Sequence, residues 1–189
     1  TCPRMKCCHG QAEAVCGKVG YCLAAVFRSS YNCKGVHGMR KFLVVLDDSR
    51  ECLNAIRFAA MRAAKTGGGV EILAVIPPEE FNHWIGVGDI MREEARERIE
   101  VHFEVFAKWM RDRQGLEPEL VIREGEPVPE ILSQIKDDPE IGILVLGAGI
   151  ENKGPGPLIT QLTKSAGSLP IPMTIVPGDL SKERLEALT

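Results

Sequence analysis

The chain has 189 residues, long enough for one domain with a sizeable core. Hydrophobic residues make up 44% and charged residues 26%, the balance of an ordinary soluble globular protein. A net charge of −3 gives no general field for nucleic acid, and no apolar stretch approaches the ~18 residues of a membrane span, so a cytoplasmic protein with neither partner is expected.

Residues 1–38 differ in kind. Six of the seven cysteines lie there: Cys2, Cys7, Cys8, Cys16, Cys22 and Cys33. With His9 and His37 they would suit a metal site, but no Cys-x2-Cys pair is present. Nothing else supports the secreted context that a disulfide framework needs. The segment has neither helical nor alternating periodicity. It is read as a disordered or non-native leader without a metal, ahead of a folded domain at 39–178 and a charged tail at 179–189.

Phe42 to Leu46 (F-L-V-V-L) is a continuous β-rich apolar run, the pattern of a parallel strand buried on both faces. It ends in Asp47-Asp48-Ser49. Asp47 stands where a ligand would lie outside a strand's carboxyl end, and it also suits a plain turn; Ser49 can cap the next helix. That helix aligns Cys52, Ala55, Ile56, Ala59, Ala60 and Ala63 on one face, which makes Cys52 a core thiol. Gly67-Gly68-Gly69 ends it.

Val70 to Ile76 forms the second strand, stopped by Pro77-Pro78. An irregular connection with His83 and Trp84 follows, to which no catalytic role is given. Asp89 then caps a long helix to about Arg113, with Met91, Ala95, Ile99, Phe103, Phe106 and Met110 as its apolar stripe. The opposite face, with Glu94–Arg98 and Glu104–Lys108 at i, i+4 spacing, reads as solvated.

Leu120 to Ile122 is a short third strand, followed by a helix burying Val128, Ile131, Leu132 and Ile135. Ile143 to Leu146 is the fourth strand, closed by Gly147 and Gly149. A glycine-rich loop leads into a helix from Leu158 to Ala166, and Pro170 and Pro172 introduce the last strand, Met173 to Val176. Alternating strands and helices predict an α/β, Rossmann-like three-layer sandwich. Its sheet should be five-stranded and parallel, in order 3-2-1-4-5, with helices on both faces.

Leu144-Val145-Leu146-Gly147 and the proline-led Leu169-Pro170-Ile171-Pro172-Met173-Thr174-Ile175-Val176 resemble the universal stress protein family. Gly125-Glu126-Pro127 fits its G-x-P turn, and Asp47 and Ser49 match its D-G-S, with Asp48 in place of glycine. The resemblance covers about Arg40 to Pro177 and implies an adenine nucleotide alpha hydrolase-like fold. It also implies ATP as ligand, with Mg²⁺ offsetting the acids, and a homodimer joined through the last strand. By resemblance Asp47, Asp48, Ser49 and Val75 would meet the nucleoside, Val75 against the adenine. Gly147, Gly149, Ile159 and Thr160 would lie at the phosphates. The family's G-x2-G-x9-G-(S/T) is broken here: its second glycine falls on Ile150, and its final pair on Ile159-Thr160.

The chemistry narrows accordingly. G-x4-G-K-(S/T), a complete G-x-G-x-x-G and G-x-S-x-G are all absent from the sequence. A phosphate-cradling loop works through successive backbone N–H groups, and Pro155 and Pro157 have none to give. Ile159 puts a branched side chain where glycine would permit close approach. No catalytic residue is assigned. Two readings remain open: a regulatory, stress-response module with an eroded nucleotide site that binds ATP weakly or not at all, and an ATP-binding member that hydrolyses nucleotide slowly.

Overall fold

The computed structural model describes residues 41–47, 49, 51–78, 88–150 and 154–189. The cysteine-bearing leader, Asp48, the connection with His83 and Trp84, and the side chain of Asp89 lie outside the described residues. Five strands alternate with helices. In chain order they are β1 (Lys41–Leu46), α1 (Cys52–Thr66), β2 (Gly69–Ile76), α2 (Gly88–Gln114), β3 (Glu119–Glu124), α3 (Pro127–Asp137), β4 (Ile141–Ala148), α4 (Pro157–Lys164), β5 (Met173–Pro177) and α5 (Lys182–Leu188). All neighbouring strands pair in parallel, in the order β3-β2-β1-β4-β5, as the alternating pattern predicts.

The two-residue period of a strand distributes β1 between two cores. Phe42 and Val44 pack with α1, Met110 of α2 and Leu185 of α5. Leu43 and Val45 pack on the other face with Ile131 and Ile135 of α3 and Ile159 and Leu162 of α4. The six α1 residues expected inward are all buried. Gly67 closes α1 in the left-handed conformation, φ 69°, which a side chain would disfavour.

α2 departs from its expected stripe. Ala95 and Met110 are buried, but Met91 is 40% exposed and Ala107, rather than a larger residue, is fully buried. The reason is length. Its 27 residues span about 40 Å, against about 26 Å for the 8 residues of β2. The first turns of α2 therefore overhang the carboxyl edge of the sheet. The charged tail folds as α5, and Asn54 ties down its approach by donating to the carbonyls of Gly178 (2.9 Å) and Leu180 (3.1 Å).

The amino edge of the sheet holds a charge network that the sequence reading missed. Glu71 lies within β2 with its side chain 1% exposed. Gln134 donates to it at 2.8 Å. The Lys41 ammonium sits 2.7 Å from Glu119, 2.8 Å from Asp138, 3.5 Å from Glu140 and 3.9 Å from Glu71. Glu71, Glu119 and Asp138 bring carboxylate oxygens within 4.8 Å of one another, and Lys41 provides the cation among them. Burial pushes the Glu71 carboxyl above its ordinary range, opposed by the Gln134 bond and by Lys41. Burial would raise Asp138 too, but the Lys41 ammonium and the Glu140 backbone N–H together outweigh this and hold it below its ordinary value of 3.8.

The two groups have opposite signs in the pH dependence of stability. Asp138 contributes stability that is present above its ordinary value and lost as pH falls. Glu71, raised, contributes stability that is present below its ordinary value and lost as pH rises through its folded one. Lys41→Met should lower the unfolding free energy by on the order of 3 kcal/mol at neutral pH, because Glu71 is left buried beside Asp138 without its cation. The deficit should narrow from neutral to mildly acidic pH as Glu71 protonates. Urea titrations at the two pH values check this, and an equal deficit at both would show that Glu71 is not the uncompensated group.

Candidate functional site

Where β1 pairs with β2 on one side and β4 on the other, the crossovers leave on opposite faces and open a crevice at the carboxyl edge. A cavity of about 340 Å³ lies there, at the small end of the range for ligand sites. Val45, Leu46 and Asp47 at the end of β1 and Ala74 to Ile76 of β2, with Pro77 after it, form one wall. α2 supplies Ala95, Arg98, Ile99 and His102, and Pro127, Pro157 and Leu158 complete it.

Asp47 has two attachments to its surroundings. It lines the cavity, and it accepts from the backbone N–H of Ser49 (3.0 Å) and from the Ser49 hydroxyl. The Ser49 oxygen in turn accepts from Cys52 N–H at 3.2 Å, capping α1. The Cys52 thiol is buried, 3.4 Å from the Val45 carbonyl. Val75 lines the cavity beside Asp47.

The other residues singled out lie at the end of β4, on the loop after it and in α4, outside the cavity wall. Gly147 is required by packing: a Cβ there would stand 2.5 Å from the Glu51 carbonyl oxygen, where α1 begins. Gly149 N–H donates to the Pro155 carbonyl at 3.3 Å, folding the loop onto itself. Ile150 N–H donates to the Glu51 carboxylate at 3.4 Å. Ile159 points into the core, 3% exposed, so its bulk sits under α4 rather than in the loop. Its place in the first turn of α4, facing the sheet, explains this. Thr160 donates both its N–H (3.1 Å) and its hydroxyl (2.8 Å) to the Gly156 carbonyl. Asp48 and Lys153 lie outside the described residues.

The cavity joins apolar walls to one carboxylate, that of Asp47. The N–H groups of Gly149, Ile150 and Thr160 are engaged within the protein, and Pro157 opens α4 without one.

Arg98 and His102 were missed because the charged face of α2 reads as solvated. Arg98 was expected to pair with Glu94, yet it has no hydrogen bond or ion pair among the described residues. Glu104 likewise bonds Arg111 at 3.0 Å, three residues beyond its expected partner. A signal was present: Ala95, Arg98, Ile99 and His102 are spaced i, i+3, i+4, i+7, so two polar residues share the face of two apolar ones.

A family model described as the universal stress protein family matches residues 38–177. No curated protein matches the sequence. Among solved structures, the universal stress protein UspA from Lactobacillus plantarum is 18% identical with a TM-score of 0.62, covering 74% of this chain and 98% of that one. A universal stress protein family member from Burkholderia pseudomallei is 19% identical with a TM-score of 0.53, covering 76% and 98%. One from Archaeoglobus fulgidus is 17% identical with a TM-score of 0.53, covering 73% and 93%. These likenesses establish the fold.

The contact at Gly147 is directly testable. Gly147→Ala should lower stability by about 1–3 kcal/mol, because the added carbon meets backbone rather than a flexible side chain. Gly149→Ala should do less, since its Cβ would stand 3.3 Å from the Gly154 carbonyl. Denaturant midpoints of the two variants check the ranking.

Proposed function

The chain belongs to the universal stress protein family, and from that premise we propose that it is a regulatory, stress-response module whose nucleotide site binds ATP weakly or not at all. One observation carries this reading: in the described part of the loop that would cradle phosphates, two N–H groups are bonded within the protein, Gly149 to Pro155 and Ile150 to Glu51. Phosphoryl transfer relies on donors already aimed at the developing charge, and this loop offers few. The alternative, an ATP-binding member with slow hydrolysis, draws support from the cavity and from Asp47 on its wall. Mg²⁺ would be its means of offsetting acid against phosphate. Among the described residues no helix is long and apolar enough to cross a membrane.

Calorimetric titration of nucleotide-free protein, with and without Mg²⁺, separates the two readings. An ATP dissociation constant poorer than ~100 μM, about −5.5 kcal/mol, is expected. Low-micromolar affinity that disappears in Asp47→Asn would favour the alternative. Asparagine is the cleaner replacement because it keeps the oxygen that holds Ser49.

A homodimer through β5 is the second part of the proposal. β5 is an edge strand, hydrogen-bonded only to β4 within the sheet. Leu144 N–H donates to the Pro172 carbonyl and Gly178 N–H to the Ala148 carbonyl, both at 3.0 Å. Even-numbered residues therefore face β4, and Met173, Ile175 and Pro177 turn their backbone to the open edge. Pairing with a second copy about a two-fold axis would close that edge and bury on the order of 1,200–2,000 Å². Ile175→Pro removes an outward donor and should shift a dimer toward monomer in light scattering without lowering the unfolding midpoint. A monomeric unmodified protein at high micromolar concentration would overturn it.

A further inference from the structure

A second cavity lies between the first turns of α1 and the link from β5 to α5. Its volume is about 510 Å³, within the range of ligand sites, and none of its lining residues belongs to the crevice. Leu53, Ile150 and Leu180 give it apolar surface. Arg57, one turn after Leu53 on α1, and Asp179 in the β5–α5 link bring one charge of each sign. Neither side chain has a hydrogen bond or ion pair among the described residues, with the other or with a third group. Arg62 of the same helix, by contrast, is held by the Thr189 carbonyl at 3.3 Å. Asn54 adds a third polar group, and a buried one at 7% exposure. Both of its amide hydrogens are engaged, by the carbonyls of Gly178 and Leu180. That fixes which way the amide faces, because only its NH2 end can serve two carbonyls. Its own oxygen accepts from no described residue and keeps access to solvent. Buried acceptors are ordinarily paired, so the cavity holds an anchored acceptor together with a cation and a carboxylate.

We propose that this cavity binds a small zwitterion with an apolar body, of the aliphatic α-amino acid class. The Arg57 guanidinium meets the carboxylate with its planar fork. The Asp179 carboxylate and the Asn54 oxygen accept from the ammonium. Leu53, Ile150 and Leu180 cover the aliphatic side chain. An anion alone would be opposed by Asp179, and a cation alone by Arg57, so only a ligand with both charges uses every group. The proposal is independent of what the crevice takes.

The test is calorimetric titration of the full chain with L-leucine, with isocaproate, which lacks the ammonium, and with isoamylamine, which lacks the carboxylate. Leucine should bind about tenfold more tightly than either, which corresponds to about 1.4 kcal/mol. Arg57→Gln should bring leucine to the level of isoamylamine without weakening isoamylamine. Asp179→Asn should bring leucine to the level of isocaproate without weakening isocaproate. Thermal midpoints of both variants establish that they are folded. Backbone amide shifts in NMR locate the ligand: those of Leu53, Arg57 and Leu180 should move, while those of Val45 and Ala74 in the crevice should not. Leucine binding no tighter than its two analogues, an advantage that survives both substitutions, shifts confined to the crevice, or no saturable leucine binding at millimolar concentration would overturn the proposal.

Discussion

A strand with a helix layer on each face has no side that can be polar without a partner, and β1 occupies that position. Phe42 and Val44 belong to one core, Leu43 and Val45 to the other, so four consecutive apolar residues anchor both layers. β2 and β4 flank it in parallel, and each return crossover requires a helix that packs back on the sheet. From that arrangement come the burial of α1 down to its alanines and the crevice where the crossovers diverge. The small alanine face lets α1 lie close to the sheet. At its start α1 approaches β4 so nearly that position 147 has no room for a side chain.

The two edges of the sheet do different work. At the amino edge, Lys41 gathers the carboxylates of Glu71, Glu119, Asp138 and Glu140, joining β1, β2, β3 and the approach to β4. Glu71 is tolerated inside because it has both a cation nearby and the amide of Gln134. At the carboxyl edge, α2 runs beyond the strands and turns part of its length into a cavity wall. Charge at one edge is paired and closed. At the other edge Asp47 and Arg98 line an open space.

The sheet keeps the family's architecture, and the described part of the loop beside the crevice is bonded within the protein. Prolines at positions 155 and 157 remove donors, the loop bonds to itself through Gly149, and Glu51 takes the amide at Ile150.

The amino-acid sequence by itself determined the strands, the helical faces and hence the parallel sheet, because hydrophobic periodicity is a local property that each segment carries alone. It also placed Asp47 at the carboxyl end of β1, since a strand's end is legible where its apolar run stops. What only the tertiary structure decided are pairings between distant residues: Gln134 with Glu71, 63 positions apart, and Ile150 with Glu51, 99 apart. Ile159 was read from an alignment as a phosphate-site residue, but helix phase turned it into the core. Arg98 looked like half of a surface ion pair, but it lines the cavity, because the placement of α2 against the sheet is set by packing between elements that no local pattern contains.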